Sequence, residues 1–257
     1  MLRTINVTRY VTPLREGGSL PAIVEADDDG MYVVKFRGAG QGPRALIAEL
    51  VAGEIARAVG LPIPELVFAT LNQDLARTEP DPEIHQLIHD SAGLNLAIDY
   101  LPGSVMFEPL IHDIDATLAS RIVWFDAFVT NVDRTARNTN MLMWHRRLWL
   151  IDHGASMYFH HSAAWMAEPG RAADPFAMIA THVLLPRATA LAAVDDDMAR
   201  TLTPRVITEI VDQIPDVWLN ADPITSDTAA TRSAYARYLL ARLAAPRSFV
   251  EGARHGR

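Results

Sequence analysis

Three oxygen-bearing side chains stand in an order suited to moving a phosphoryl group. Asp133 and Asn138 lie five residues apart in Asn131-Val132-Asp133-Arg134-Thr135-Ala136-Arg137-Asn138. Asp152 follows an apolar run in Leu148-Trp149-Leu150-Ile151-Asp152-His153-Gly154. Phosphoryl transfer asks a protein mainly to position a nucleotide and neutralise its charge, because the transition state makes few covalent bonds to the enzyme. Asp133 would orient a hydroxyl and accept its proton, while Asn138 and Asp152 would offer oxygens to magnesium. Lys35 ends the apolar run Met31-Tyr32-Val33-Val34, so its ammonium can reach a cleft while its stem packs along a sheet. Glu49 lies on the helical pattern that follows and could hold that lysine. Gly154 would permit a sharp turn directly after the metal ligand. Each signal is common by itself. Their order along the chain points to an ATP-dependent kinase of an atypical kind.

The elements that must hold these groups are legible in the apolar spacing. Residues 5–36 read as a β-rich opening, with turns at Arg15-Glu16-Gly17-Gly18-Ser19 and Asp27-Asp28-Asp29-Gly30. The first turn lets backbone amides approach an anion, which makes Gly17, Gly18 and Ser19 candidates for covering phosphates. From Pro43, Leu46, Ile47, Leu50, Val51, Ile55 and Val59 follow helical spacing, stopped by Gly60, Pro62 and Pro64. Strands are expected at 66–69 and 94–101, the second ended by the hinge-like Pro102-Gly103. A helix is expected over 115–130, then a hairpin of 140–144 and 148–151 around His145-Arg146-Arg147. Further helices are expected near 175–184, 187–200, 203–214 and 228–244, with a frayed tail from Pro246. The fold class is therefore α+β and bilobal: residues 1–102 form a β-rich nucleotide-binding N-lobe, and residues 103–257 a mainly helical C-lobe carrying the catalytic and metal-binding segments.

Bulk properties exclude several alternatives. The 257 residues are 49% hydrophobic and 21% charged, ordinary for a folded globular chain. A net charge of −8 without a long basic run argues against direct nucleic-acid binding. The chain has no cysteine, which removes disulfides, thiol nucleophiles and cysteine-zinc sites. Neither a signal-like leader nor a membrane-length apolar run is evident, so a cytoplasmic location is the expectation.

The segments Val34-Lys35-Phe36-Arg37-Gly38, Gln41-Gly42-Pro43-Arg44-Ala45-Leu46, Ala48-Glu49-Leu50 and Gly60-Leu61-Pro62-Ile63-Pro64 resemble the N-lobe of HipA-like kinases. The Asp133–Asn138 and Ile151-Asp152-His153-Gly154 segments resemble that family's catalytic and metal-binding stretches, with a similar pattern in type II phosphatidylinositol 4-kinases. The resemblance spans roughly residues 10–160 and implies a bilobal protein-kinase-like fold. It implies that Lys35 contacts the α- and β-phosphates of ATP and pairs with Glu49. By the same likeness Asp133 is the catalytic base, Asn138 and Asp152 bind Mg2+ (Mn2+ being the alternative), and Ile98, Asp99, Tyr100 and Leu101 frame the adenine. A serine or threonine hydroxyl on a protein is the implied acceptor. The chain departs from ordinary eukaryotic-type protein kinases: it has no Gly-x-Gly-x-x-Gly loop, no His-Arg before Asp133 and no Ala-Pro-Glu after Asp152. The alternatives are a small-molecule or lipid kinase and a catalytically silent nucleotide-binding scaffold.

Other chemistry-bearing residues have plainer readings. His85 and His89 share metal-ligand spacing but have no third ligand, so they read as a solvated pair. His160-His161 reads as loop surface, Asp195-Asp196-Asp197 as an acidic helix face, and Trp124, Trp144 and Trp149 as core. Arg134 and Arg137 flank Asp133 and either bind phosphate or pair with a neighbouring acid.

Overall fold

The computed structural model describes residues 1–14, 20–40, 42–162, 165–166, 168–221 and 227–256. The opening alternation of apolar and polar residues becomes β1 (Thr4–Pro13), β2 (Ala22–Ala26) and β3 (Met31–Lys35), joined later by β4 (Leu66–Leu71) and β5 (Gly93–Asp99). They close into a barrel of order β1-β2-β3-β5-β4, in which β1 runs parallel to β4 and the other neighbours are antiparallel. Closure leaves the barrel without a free edge. Its interior holds Ile5, Val24, Tyr32, Val34, Val67 and Ala97. The residues that alternate with these, Leu66, Phe68, Leu96 and Ile98, join the main core outside the barrel.

Against that outer face lies α1 (Pro43–Ala58), started by a proline in its first turn and followed by Gly60 at φ 74°. Residues 46–56 of α1 are all buried, so the helix is covered on every side rather than along one stripe. Its other cover comes from α5 (Pro204–Val211) and α6 (Asp216–Asn220). Hydrogen bonds stitch the barrel side to the helical side around it. Leu150 N donates to Pro62 O at 2.8 Å, the Trp218 indole to Leu94 O at 3.0 Å, and Arg121 to Val59 O.

The helical part is organised on α3 (Ala116–Val129), whose residues 119, 120 and 122–129 are all buried. Asp115 caps its start by accepting from Leu118 N at 2.9 Å. A three-stranded sheet of order β6 (Val105–Met106), β7 (Met141–Trp144) and β8 (Arg147–Leu150) adds Met141, Leu148 and Leu150 to the same core. The β7–β8 turn is tighter than expected: Arg147 is already in β8, and His145 and Arg146 alone make the turn at φ 48° and 62°. Around α3 pack α4 (Leu191–Thr201), α7 (Thr228–Leu243) and α8 (Ser248–His255).

Two expectations are corrected and one helix is added. Residues 82–90 form a helix, α2 (Pro82–Asp90), capped by Asp81, that the sparse apolar spacing did not reveal. The helix expected near 175–184 is instead a chain of 3-10 turns at Ala177–Thr181 and Leu185–Arg187, interrupted by the extended His182. The tail after Pro246 does not fray but forms α8, with Phe249, Val250 and Ala253 buried. Phe249 meets Trp124 edge-on at 5.2 Å and lies under the Arg242 guanidinium at 5.0 Å. Burial of that ring ties the C-terminal helix to α3, so Phe249→Ala should lower the unfolding free energy by about 3–5 kcal/mol. A denaturant titration against wild type would check this; a loss below about 1 kcal/mol would contradict the packing role.

Candidate active site

Lys35, at the end of β3, is only 8% exposed. Its ammonium lies 2.5 Å from Asp152 Oδ1 and 3.4 Å from Glu49 Oε2, the latter reaching out from α1. Burial alone would lower the lysine's pKa, but the charges of Glu49 and Asp152 outweigh it and hold the ammonium above its ordinary value. Glu49 is almost completely buried, and that burial raises its pKa despite the lysine. Asp152 is pushed the other way: burial would raise it, but the Lys35 charge and hydrogen bond prevail and lower it. The Asp152 side chain keeps 40% of its surface exposed, so this carboxylate opens onto solvent where Glu49 does not.

The second cluster lies on the loop that follows α3. Asn138 Nδ2 donates to Asp133 Oδ2 at 2.8 Å, and Asn140 Nδ2 donates to the same oxygen at 3.2 Å. With its amide nitrogen so used, Asn138 keeps its carbonyl oxygen for a different partner. The two clusters are joined through Asn140: its carbonyl accepts from Ile151 N at 3.0 Å and from Arg134. Thus the residue beside Asp152 and the residue beside Asp133 share one acceptor.

Beneath the loop lies a buried polar network centred on Asp126 of α3. Arg134 Nε donates to Asp126 Oδ2 at 2.6 Å, Asn131 Nδ2 to Oδ1 at 2.7 Å, and His182 Nε2 to Oδ2 at 2.9 Å. Leu184 N donates to His182 Nδ1, which places that ring's proton on Nε2. Burial would raise the Asp126 pKa, but Arg134 and His182 outweigh it and leave the carboxyl well below its usual range. Asn131 also accepts from Asp133 N at 3.1 Å, fixing the backbone of the candidate base.

Arg134 is therefore a structural strut and not a surface phosphate ligand, which settles one of its two readings; Arg137 stays exposed. His153 is buried, accepts from Arg134 at 3.2 Å through Nδ1, and leaves Nε2 without a partner among the described residues. Burial in the first place and the Arg134 charge in the second lower its pKa to about 3. The sharp turn expected of Gly154 falls on Asp152 instead, at φ 54°, and a Cβ on Gly154 would meet only ordinary contacts. Thr130, Asn140 and Met157 are left-handed as well, so the segment from the end of α3 onward concentrates backbone strain.

Ile98 and Asp99 close β5, and Tyr100 and Leu101 continue it toward β6. Ile23, Val33, Ile98 and Leu66 make one cross-barrel row on the same face as Lys35, two residues along the strand from it. Gly17, Gly18 and Ser19 lie outside the described residues. His85 and His89 are exposed, and no group of three or more His, Asp or Glu suited to a metal occurs among the described residues. His160 is not loop surface as expected; it is fully buried and bonded to the Tyr235 hydroxyl at 3.0 Å. Asp195 is likewise more than a solvated acid, since it accepts from the Trp124 indole and from Arg247. A cavity of about 430 Å³ walled by Trp165, Met166 and Tyr238 lies elsewhere, and no candidate site residue lines it. Asn140, Asn131, Asp126 and His182 escaped the sequence reading. The one available signal was Asp126, a carboxylate amid Trp124-Phe125 and Ala127-Phe128.

The profile of the HipA-like kinase family matches residues 7–250. Among solved structures, the Helicobacter pylori proinflammatory kinase CtkA is similar at a TM-score of 0.63 and 12% identity, covering 100% of this chain and 98% of its own. A Golgi casein kinase is similar at a TM-score of 0.50 and 12% identity, covering 98% of this chain and 73% of its own. No curated protein sequence matches. At such identities the two structures speak to the fold: a protein-kinase-like α+β architecture, β-rich first and helical after.

The depressed pKa of His153 carries a stability consequence. Unfolded, the ring titrates near its ordinary 6.5; folded, it stays neutral until about pH 3. Between those values the unfolded chain binds the extra proton, so this group's contribution is whole above about pH 6.5 and is lost as pH falls toward 3. The expected slope is up to about 1.4 kcal/mol per pH unit. Denaturant titrations from pH 7 to 4 on wild type and His153→Gln should show a shallower fall in the variant; parallel curves would refute the assignment.

Proposed function

This chain belongs to the HipA-like kinase family, and on that premise we propose that it transfers the γ-phosphate of ATP to a serine or threonine hydroxyl of a protein. Membership makes it a phosphotransferase; the nucleotide, the cation and the acceptor are our reading. The observation that supports it most is the buried ammonium of Lys35 set between Glu49 and the solvent-facing Asp152, on a segment tied through the Asn140 carbonyl to the loop of the Asp133–Asn138 pair.

Two carboxylates surround one ammonium, so the cluster carries surplus negative charge at the exposed side of Asp152. The two candidate donors, the Asp152 carboxylate and the Asn138 carbonyl, are both oxygens, which suits a hard cation such as Mg2+, with Mn2+ as the alternative. Bound at these residues, the cation would offset the charge of the nucleotide phosphates. Lys35 would then turn part of its charge from Asp152 to the α- and β-phosphates, with Glu49 keeping it in place. Asp133, aimed by Asn138, Asn140 and Asn131, would hold the acceptor hydroxyl and take its proton as the oxygen attacks phosphorus. The row Ile23, Val33 and Ile98 offers an apolar surface to adenine, and Leu101 N–H donates to no described residue, leaving it for a ring nitrogen. The choice of a protein hydroxyl rests on the family.

Asp133→Ala should lower kcat by roughly 10²–10⁴ while the ATP-induced rise in melting temperature stays as in wild type. Radiolabelled phosphate transfer and thermal unfolding measure the two arms; equal turnover would remove Asp133 from the mechanism. Asp152→Asn should differ in kind, shrinking the magnesium-dependent part of the ATP-induced shift. An unchanged shift would take Asp152 out of the cation site.

A further inference from the structure

Between the candidate hinge and α3, four aliphatic side chains within seven residues face water: Val105 is 56% exposed, Met106 43%, Leu110 99% and Ile111 77%. Single exposed aliphatics need no explanation, but four within seven residues on a fixed support do. The support is well built. The His112 ring stacks on buried Phe107 at 5.7 Å, and its Nδ1 accepts from Glu108 N at 2.9 Å. Ile111 N and His112 N both donate to Glu108 O. Arg187, from the distant 3-10 turn, donates to His112 O at 3.0 Å and to Pro109 O. The loop is thus held in one shape with Leu110 and Ile111 pointing outward, which lowers the ordering cost of binding a partner.

The same loop is wired to the catalytic segment. Thr139, next to Asn138, donates its hydroxyl to Phe107 O at 3.2 Å, and Phe107 N donates to Met141 O at 2.9 Å. The apolar cluster therefore stands at a fixed offset from Asp133, on the chain that leads into the catalytic loop. Charge chooses the partner. Along the chain beside Leu110 and Ile111 the exposed ionisable residues are Glu108, Asp113 and Asp115, and the cation that reaches this loop from elsewhere, Arg187, is engaged with carbonyls and with Asp113 at 3.6 Å. The basic turn His145-Arg146-Arg147 borders the opposite, Val105 end, because Val105 pairs with Met143. An anionic bilayer would be repelled where the aliphatics are most exposed.

We propose that Val105, Met106, Leu110 and Ile111 form a docking surface for the protein acceptor, taking a segment with aliphatic anchors flanked by lysine or arginine on the Leu110 side. This deepens the reading above and rests on it in one respect, that the acceptor is a protein. The chain's net charge of −8 favours the same basic partner at long range.

The test uses the full chain and three fluorescein-labelled serine-containing peptides that share one leucine-isoleucine core, flanked by lysines, serines or glutamates. Fluorescence anisotropy should rank lysine above serine above glutamate, at least tenfold between the extremes. The double variant Leu110→Ser with Ile111→Ser, which removes the anchors without changing charge, should lose at least tenfold for the lysine peptide, at unchanged melting temperature and unchanged ATP-induced shift. Glu108→Gln with Asp113→Asn should flatten the ranking without abolishing binding. Equal binding of the three peptides, or of wild type and the serine variant, would overturn the proposal. So would preferential binding to phosphatidylcholine–phosphatidylserine vesicles, or a dimer in sedimentation that the serine variant dissolves. Phosphate transfer is scored separately: failure to label any peptide counts against a protein acceptor even if the binding ranks hold, while labelling equal in wild type and the serine variant counts against docking alone.

Discussion

A carboxylate with no exposure to water cannot stand alone, and Asp126 is such a group, set among the aromatic residues of α3. Its oxygens are satisfied by Arg134, Asn131 and His182, each from a different point along the chain beyond the helix. Meeting that electrostatic demand folds the loop of Asp133 back over α3 and brings the 3-10 region of His182 beneath it. Removing one partner of such a buried pair typically costs about 3–5 kcal/mol, because the survivor keeps its desolvation without its counter-charge. The loop of Asp133 owes its shape to this anion more than to any contact on its surface.

The second constraint comes from the barrel. β3 delivers Lys35 and α1 delivers Glu49, and both are buried, so their pairing belongs to the packing of helix on barrel. Asp152 enters from the segment after β8 in a left-handed conformation. Strain at Thr130, Asn140, Asp152 and Met157 is borne by the surrounding hydrogen bonds, including Met157 N to Val129 O at 2.6 Å.

Much of this was legible in the residues. Strong apolar periodicity announced β3, α1, α3 and the β7–β8 hairpin; the first two carry Lys35 and Glu49, and the last two lead directly into Asp133 and Asp152. The geometry that joins them was less visible. Asn140 is polar in a short loop, and nothing in its spacing says that it shares Asp133 with Asn138. His182 lies 56 residues from the aspartate it serves. His160 looked like surface because a His-His pair after a turn is usually wet, yet Tyr235 from a remote helix covers it. The tail went unread because its apolar residues, Phe249, Val250 and Ala253, are few and follow Pro246; burial against α3 supplies the stability that propensity lacks.

The all-round burial of α1 has a consequence for how such a protein could be turned on and off. Rotating this helix outward would separate Glu49 from Lys35, but it would also tear apolar residues from the barrel on one side and from α5 and α6 on the other. The bonds from Leu150 to Pro62 and from Trp218 to Leu94 pin the adjoining chain at both flanks. The pairing of Lys35 with Glu49 is thus part of a fixed spine whose arrangement is complete once the chain has folded. Control is left to the exposed side of the cluster, where Asp152 meets solvent.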